Sequence, residues 1–68
     1  NMYHIAICDD NAQFLETMER TIEGNPEYEA DMICQKFLNG KELLRTELEQ
    51  YHLIILDMQM DQMDGGIF

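Results

Sequence analysis

The 68-residue sequence predicts an α/β fold with a parallel sheet, in the order strand, helix, strand, helix, strand. Three observations carry this expectation. Two short apolar runs, His4-Ile5-Ala6-Ile7-Cys8 and Leu53-Ile54-Ile55-Leu56, lead into carboxylates, Asp9-Asp10 and Asp57 respectively. Near-continuous apolar strands are buried on both faces, as in parallel sheets. Between the two runs, apolar residues recur at helical spacing. Parallel strands joined by right-handed crossovers bring their C-terminal ends to one edge. Open α/β sheets bind ligands at that edge, where the strand order reverses.

Each element has its own signal. Residues 3–8 form the first strand. Asp10 or Asn11 caps the next helix, and Gln13 stands three residues after Asp10 in a capping-box-like position. Phe14, Leu15, Met18 and Ile22 share a helical face expected to pack on the sheet. Glu16 and Arg20 are spaced as an i,i+4 pair on the outer side. Gly24 and Pro26 end the helix. Residues 31–37 form a second strand, interrupted by polar residues. Asn39 caps a second helix and Glu42 completes its capping box. Leu43, Leu44, Leu48 and Tyr51 are the candidates for its buried face. Residues 53–57 form the third strand, and a loop rich in Met, Asp and Gly leads on towards another helix. There is no internal repeat, low-complexity tract or linker.

Composition narrows the classes of function. The length allows one small domain, which buries only about 60% of its unfolded surface and is marginally stable. Its 46% hydrophobic content marks it as globular rather than disordered. Fourteen acidic against four basic residues give a formal net charge of −10. That argues against nucleic-acid or anionic-membrane binding by this segment, because phosphate neutralisation needs Lys and Arg. No apolar run reaches transmembrane length, and no signal-peptide pattern opens the chain. A cytoplasmic location is the expectation. Cys8 and Cys34 fall in predicted strands and read as buried, reduced thiols. Disulfides are rare in cytosolic proteins. No Cys and His spacing resembles a zinc site. His4 and His52 each precede an apolar run and read as strand-leading residues rather than ligands or bases.

Asp9, Asp10 and Asp57 are the candidates for chemistry. Three carboxylates at one sheet edge repel, by roughly 4 kcal/mol for a pair about 4 Å apart at an effective dielectric near 20. A hard divalent cation removes that cost, and magnesium suits a few carboxylates plus waters.

Ile5-Ala6-Ile7-Cys8-Asp9-Asp10, followed by Leu56-Asp57-Met58-Gln59-Met60 and then Met63-Asp64-Gly65, resembles the receiver domain of bacterial two-component response regulators. The opening is especially similar to regulators that carry a LytTR DNA-binding domain. The resemblance covers roughly residues 2 to 68. It implies a flavodoxin-like doubly wound parallel sheet, with the second strand at an edge and the first in the middle. It implies that Asp57 accepts a phosphoryl group from a sensor histidine kinase, with Mg2+ as cofactor. Asp10 would ligate the metal directly, Asp9 largely through water, Asp57 by one oxygen and Gln59 by its backbone carbonyl. An output domain would control transcription and make any DNA contact. The chain would be no enzyme beyond self-catalysed phosphotransfer and dephosphorylation.

The sequence departs from the family in two respects. Asp61 stands where a Pro usually follows the Met, which leaves the loop less stiff. The family's fourth strand ends in Ser or Thr and its fifth in Lys, and neither has a counterpart here. The resemblance is therefore to the N-terminal half of a receiver. An unpaired third strand would then recruit a second copy, so a homodimer is expected. Asp61 and Asp64 read as solvated loop charge, and Met58, Met60 and Met63 as core filling. Two other readings stand beside this one. A magnesium-dependent aspartyl phosphotransferase or phosphatase is disfavoured, because such enzymes carry Asp-x-Asp and Asp57 is followed by Met58-Gln59. A non-phosphorylated interaction module is disfavoured for the parent protein by the intact set Asp9, Asp10 and Asp57, and stays open for this half of a receiver taken alone.

Overall fold

The computed structural model describes residues 2–27 and 31–57. The elements run β1 (Met2–Cys8), α1 (Ala12–Glu23), β2 (Asp31–Phe37), α2 (Gly40–Leu44) and β3 (Leu53–Leu56). A 3-10 turn at Leu48–Gln50 precedes β3. The sheet is parallel, in the order β2-β1-β3. β1 is the middle strand. It pairs with β2 from Met2↔Asp31 to Cys8↔Phe37 and with β3 from Ile5↔Leu53 to Cys8↔Leu56.

That central position explains the apolar run of β1. Ile5, Ala6, Ile7 and Cys8 are all buried, and strand alternation sends them to opposite faces. Ile5 and Ile7 pack with Leu15 of α1 and Cys34 of β2, flanked by Met18, Ile22, Met32 and Ile55. Ala6 and Cys8 pack with Leu43 of α2 and Tyr51, flanked by Phe37, Ile54 and Leu56. The helices thus cover opposite faces, and each face has its own small core. Burying a side chain such as Ile7 or Leu43 stabilises by about 1.5–3 kcal/mol. Cys8 and Cys34 are free thiols on opposite faces, so the sheet itself lies between them.

Asn11, not Asp10, caps α1, its side chain accepting from the Phe14 N–H at 3.1 Å. Leu15, Met18 and Ile22 face the sheet as expected, but Phe14 is 42% exposed. It sits in the first turn of the helix. Glu16 does not close onto Arg20 as an ion pair. Lys36 of β2 takes it at 2.6 Å, and takes Glu19 at 2.9 Å. A cross-element cation that reaches two carboxylates outcompetes a within-helix partner. Gly24 ends the helix, its N–H donating to the Arg20 carbonyl at 3.0 Å. A Cβ there would lie 2.8 Å from that same oxygen, so close approach rather than positive φ calls for glycine.

The second helix is shorter than its sequence pattern suggests. Asn39 caps it, accepting from the Glu42 N–H at 2.9 Å. It stops after Leu44 because the Thr46 N–H and hydroxyl both donate to the Leu43 carbonyl, at 3.0 and 2.7 Å. A Thr hydroxyl on the backbone competes with helix propagation. The chain is extended at Glu47. Leu43 and Tyr51 are therefore buried as expected, whereas Leu44 and Leu48 are exposed. Leu53 at the start of β3 is also exposed, and only the later residues of that strand are partly covered. Among the described residues, no helix is long and apolar enough to cross a membrane.

Candidate metal-binding carboxylate site

Two strand ends position the site. β1 delivers Asp9 and Asp10 just past Cys8, and the adjacent β3 delivers Asp57 just past Leu56. The backbone fixes both. The Asp9 N–H donates to the Phe37 carbonyl at 3.0 Å, and the Asp57 N–H donates to the Cys8 carbonyl at 3.0 Å. The structure thereby brings together the three carboxylates singled out from the sequence. Each offers an oxygen, and these oxygens all lie within 4.8 Å of one another. Asp9 and Asp57 are half-buried, and Asp10 is exposed. Gln59, whose carbonyl was expected to complete the ligand set, lies outside the described residues. So do Met58, Met60, Asp61, Met63, Asp64 and the Gly65-Gly66 pair.

The donor set suits a hard divalent cation: all oxygen, mostly anionic, and open to solvent on one side. Soft metals would demand thiolate or imidazole. The nearest thiol, Cys8, packs into the core beneath the site. Burial pushes that thiol up from its ordinary value, and the Asp9 and Asp57 charges push it further. It stays protonated at neutral pH and is no ligand.

Asn11 is a site residue that the sequence pattern did not single out beyond its cap. Its N–H donates to Asp9 Oδ1 at 2.8 Å while its side chain caps α1. One oxygen of Asp9 is thus held against the chain, which leaves the other to face a ligand. The readable signal was Asp9 two positions before Asn11, the spacing of an Asx turn. Beside the carboxylates lies a cavity of about 270 Å³, lined by Asp9, Asp57, Phe14 and the strand residues Ile7, Cys8, Ile55 and Leu56. No family model matches the chain, and no solved structure matches it significantly.

Proposed function

We propose that this chain forms the β-α-β-α-β portion of a flavodoxin-like receiver domain in a two-component response regulator, with Asp57 as phosphoacceptor. One observation carries the reading most. Asp57 ends a strand directly beside the strand that ends in Asp9-Asp10, and the three carboxylates converge on a single point. The strand order β2-β1-β3, with β1 in the middle, agrees with it.

The chemistry follows from these residues. Asp9 and Asp10 would hold Mg2+, with one oxygen of Asp57 and the Gln59 backbone carbonyl completing the set. When bound, the ion supplies positive charge that lets two anions approach. The second oxygen of Asp57 attacks the phosphorus of a phosphohistidine on a sensor kinase. A P–O bond forms, the P–N bond breaks, and the imidazole nitrogen keeps the electron pair and takes a proton. The product is an acyl phosphate on Asp57. The Asn11 N–H keeps Asp9 turned to its task. Output would come from a separate domain, a LytTR-type DNA-binding domain by resemblance, acting in the cytoplasm on transcription. Pairing of two copies along the edge of β3 that faces away from β1 is part of the same reading.

The test is incorporation of one phosphoryl group. The whole protein is incubated with acetyl phosphate and Mg2+ and weighed by intact mass spectrometry. Wild type should gain one phosphoryl group that is labile to alkali. Asp57→Asn, or wild type with the metal chelated, should gain none. Equal labelling of Asp57→Asn, or no labelling of wild type, overturns the proposal.

A further inference from the structure

The opposite end of the sheet carries a pair of histidines that the proposed phosphorylation does not use. Regular pairing of β1 with β3 begins at Ile5↔Leu53. One step earlier, the two strands are joined differently. The His52 N–H donates to the His4 carbonyl at 2.8 Å. The His4 N–H donates to Nδ1 of the His52 ring at 3.0 Å. The imidazole stands where a strand would offer a carbonyl. β3 has only four residues, so this closed pair of bonds is a large part of its hold on β1.

We propose that His4 and His52 form an acid-sensitive clasp that fastens the start of β3 to β1. Nδ1 of His52 accepts a hydrogen bond, so it is bare and the ring proton sits on Nε2. Proton uptake at Nδ1 would set one N–H against another. The His4 ring is stacked on the His52 ring, centroids 6.2 Å apart and planes 15° from parallel. Nδ1 of His4 is buried and has no hydrogen-bond partner among the described residues. A proton there would meet no acceptor, and two imidazolium rings in this stack would repel. Both rings must therefore be neutral for the clasp to close.

Among the described residues, the surroundings offer no compensating carboxylate. From β1, the Tyr3 ring meets His52 edge-on at 5.0 Å. From β2, the nearest acidic position in register is Asp31, opposite Met2. Tyr51, just before His52, turns its hydroxyl to Gln35 instead. Beside Tyr3 and His52, the adjoining surface is lined by Ile5, Met32 and Leu53. Among the described residues, no ion pair joins either imidazole to a carboxylate. The chain has only two histidines.

The experiment is nuclear magnetic resonance on the whole protein, in two readings. Ring nitrogen shifts at neutral pH should show His52 bare at Nδ1 and protonated at Nε2. Amide exchange at His4, corrected for the intrinsic rate, should lose protection as the solution is acidified from about pH 7.5 to about pH 5. His52→Asn places a non-titrating oxygen near the same spot and should hold protection flat over that window. A proton on Nδ1 of wild-type His52 at neutral pH overturns the clasp. So does wild-type protection that stays constant down to about pH 5, or an equal loss in His52→Asn. If His52→Asn does not fold, the two wild-type readings decide.

Discussion

The N–H of Asp57 donates to the carbonyl of Cys8 at 3.0 Å, and that carbonyl belongs to the same peptide group as the N–H of Asp9. The Asp9 N–H in turn donates to Phe37 at 3.0 Å. One rigid peptide plane is thus held from both sides, by β3 and by β2. The sheet thereby sets how far apart the backbones of Asp9 and Asp57 stand.

The first prediction follows from that rigidity. Without metal, Asp57→Asn should keep the wild-type fold, because the bond from its backbone N–H to the Cys8 carbonyl stays. With Mg2+ at ten times its dissociation constant, wild type should gain about 1.4 kcal/mol and the variant much less. Thermal unfolding with and without Mg2+ reads both. A variant that is strongly destabilised without metal would show that the carboxylate itself holds the fold.

Asn11 gives the second. Asn11→Ala removes the cap of α1 and should cost about 1 kcal/mol in urea unfolding. Asn11→Asp keeps an acceptor for the Phe14 N–H and should recover most of the stability. It also places a fourth carboxylate beside Asp9, and should shift Mg2+ affinity. A neutral Asn11→Ala would mean that the cap contributes little.

The third contrasts two adjacent leucines. Leu43 is fully buried between β1 and Tyr51, whereas Leu44 is 45% exposed. Leu43→Ala should cost about 2–5 kcal/mol, enough to unfold a marginal domain of this size. Leu44→Ala should stay within about 0.5 kcal/mol of wild type. Similar losses at both positions would contradict the short second helix.

The fourth concerns pH. The hydrogen bond from Lys36, and then its charge, hold Glu16 below its ordinary value. Glu16, then Glu19, raise Lys36 above its own. A depressed carboxylate contributes stability that is present above its unfolded range and lost as pH falls through the folded one. A raised lysine contributes stability that is present below its unfolded range and lost as pH rises further. The clamp therefore operates from mildly acidic to mildly alkaline pH. Lys36→Met should flatten the acid limb of a midpoint-versus-pH curve, while Lys41→Met, an equal change in charge, should leave that limb as it is. Identical curves would mean that only net charge counts.

The fifth uses the thiols. Burial raises Cys8 and Cys34, each helped by nearby carboxylates. Both should react slowly with a thiol reagent while folded and quickly in urea, since the thiolate is the nucleophile. Mild oxidation should give no bridge within one folded chain, because the two sulfurs lie on opposite faces. Fast labelling of the folded protein would contradict their burial.

Much of this architecture is legible in the sequence, and the failures have physical causes. β1 can be read because burial on both faces leaves no room for polar residues between Ile5 and Cys8. β2 falls at 31–37 despite its polar interruptions. As an edge strand it can turn Lys36 to the glutamates of α1 and Gln35 to Tyr51. The stripe on α1 was right at Leu15, Met18 and Ile22, but periodicity cannot say how deeply each position of a stripe is covered, and Phe14 stays 42% exposed. Leu43, Leu44, Leu48 and Tyr51 fit a helix that Thr46 cuts short with its own hydroxyl. The carboxylates were legible because they end apolar runs. The hold of Asn11 on Asp9 was not, because it is made by a backbone N–H that every residue but proline possesses.

The middle strand is the first to be synthesised and the last to be completed. β1 and β2 can meet early, but the far flank of β1 waits for a partner that joins it at His52, 48 residues beyond His4. On a ribosome adding about 5–20 residues per second, the roughly twenty residues from the end of β2 to the end of β3 take about one to four seconds. Through that interval the most apolar ladder in the chain is unsatisfied along one side, as exposed as any sheet edge. Nascent chains crowded on one message would meet at that ladder, so translation speed between Phe37 and Leu56 becomes a determinant of yield.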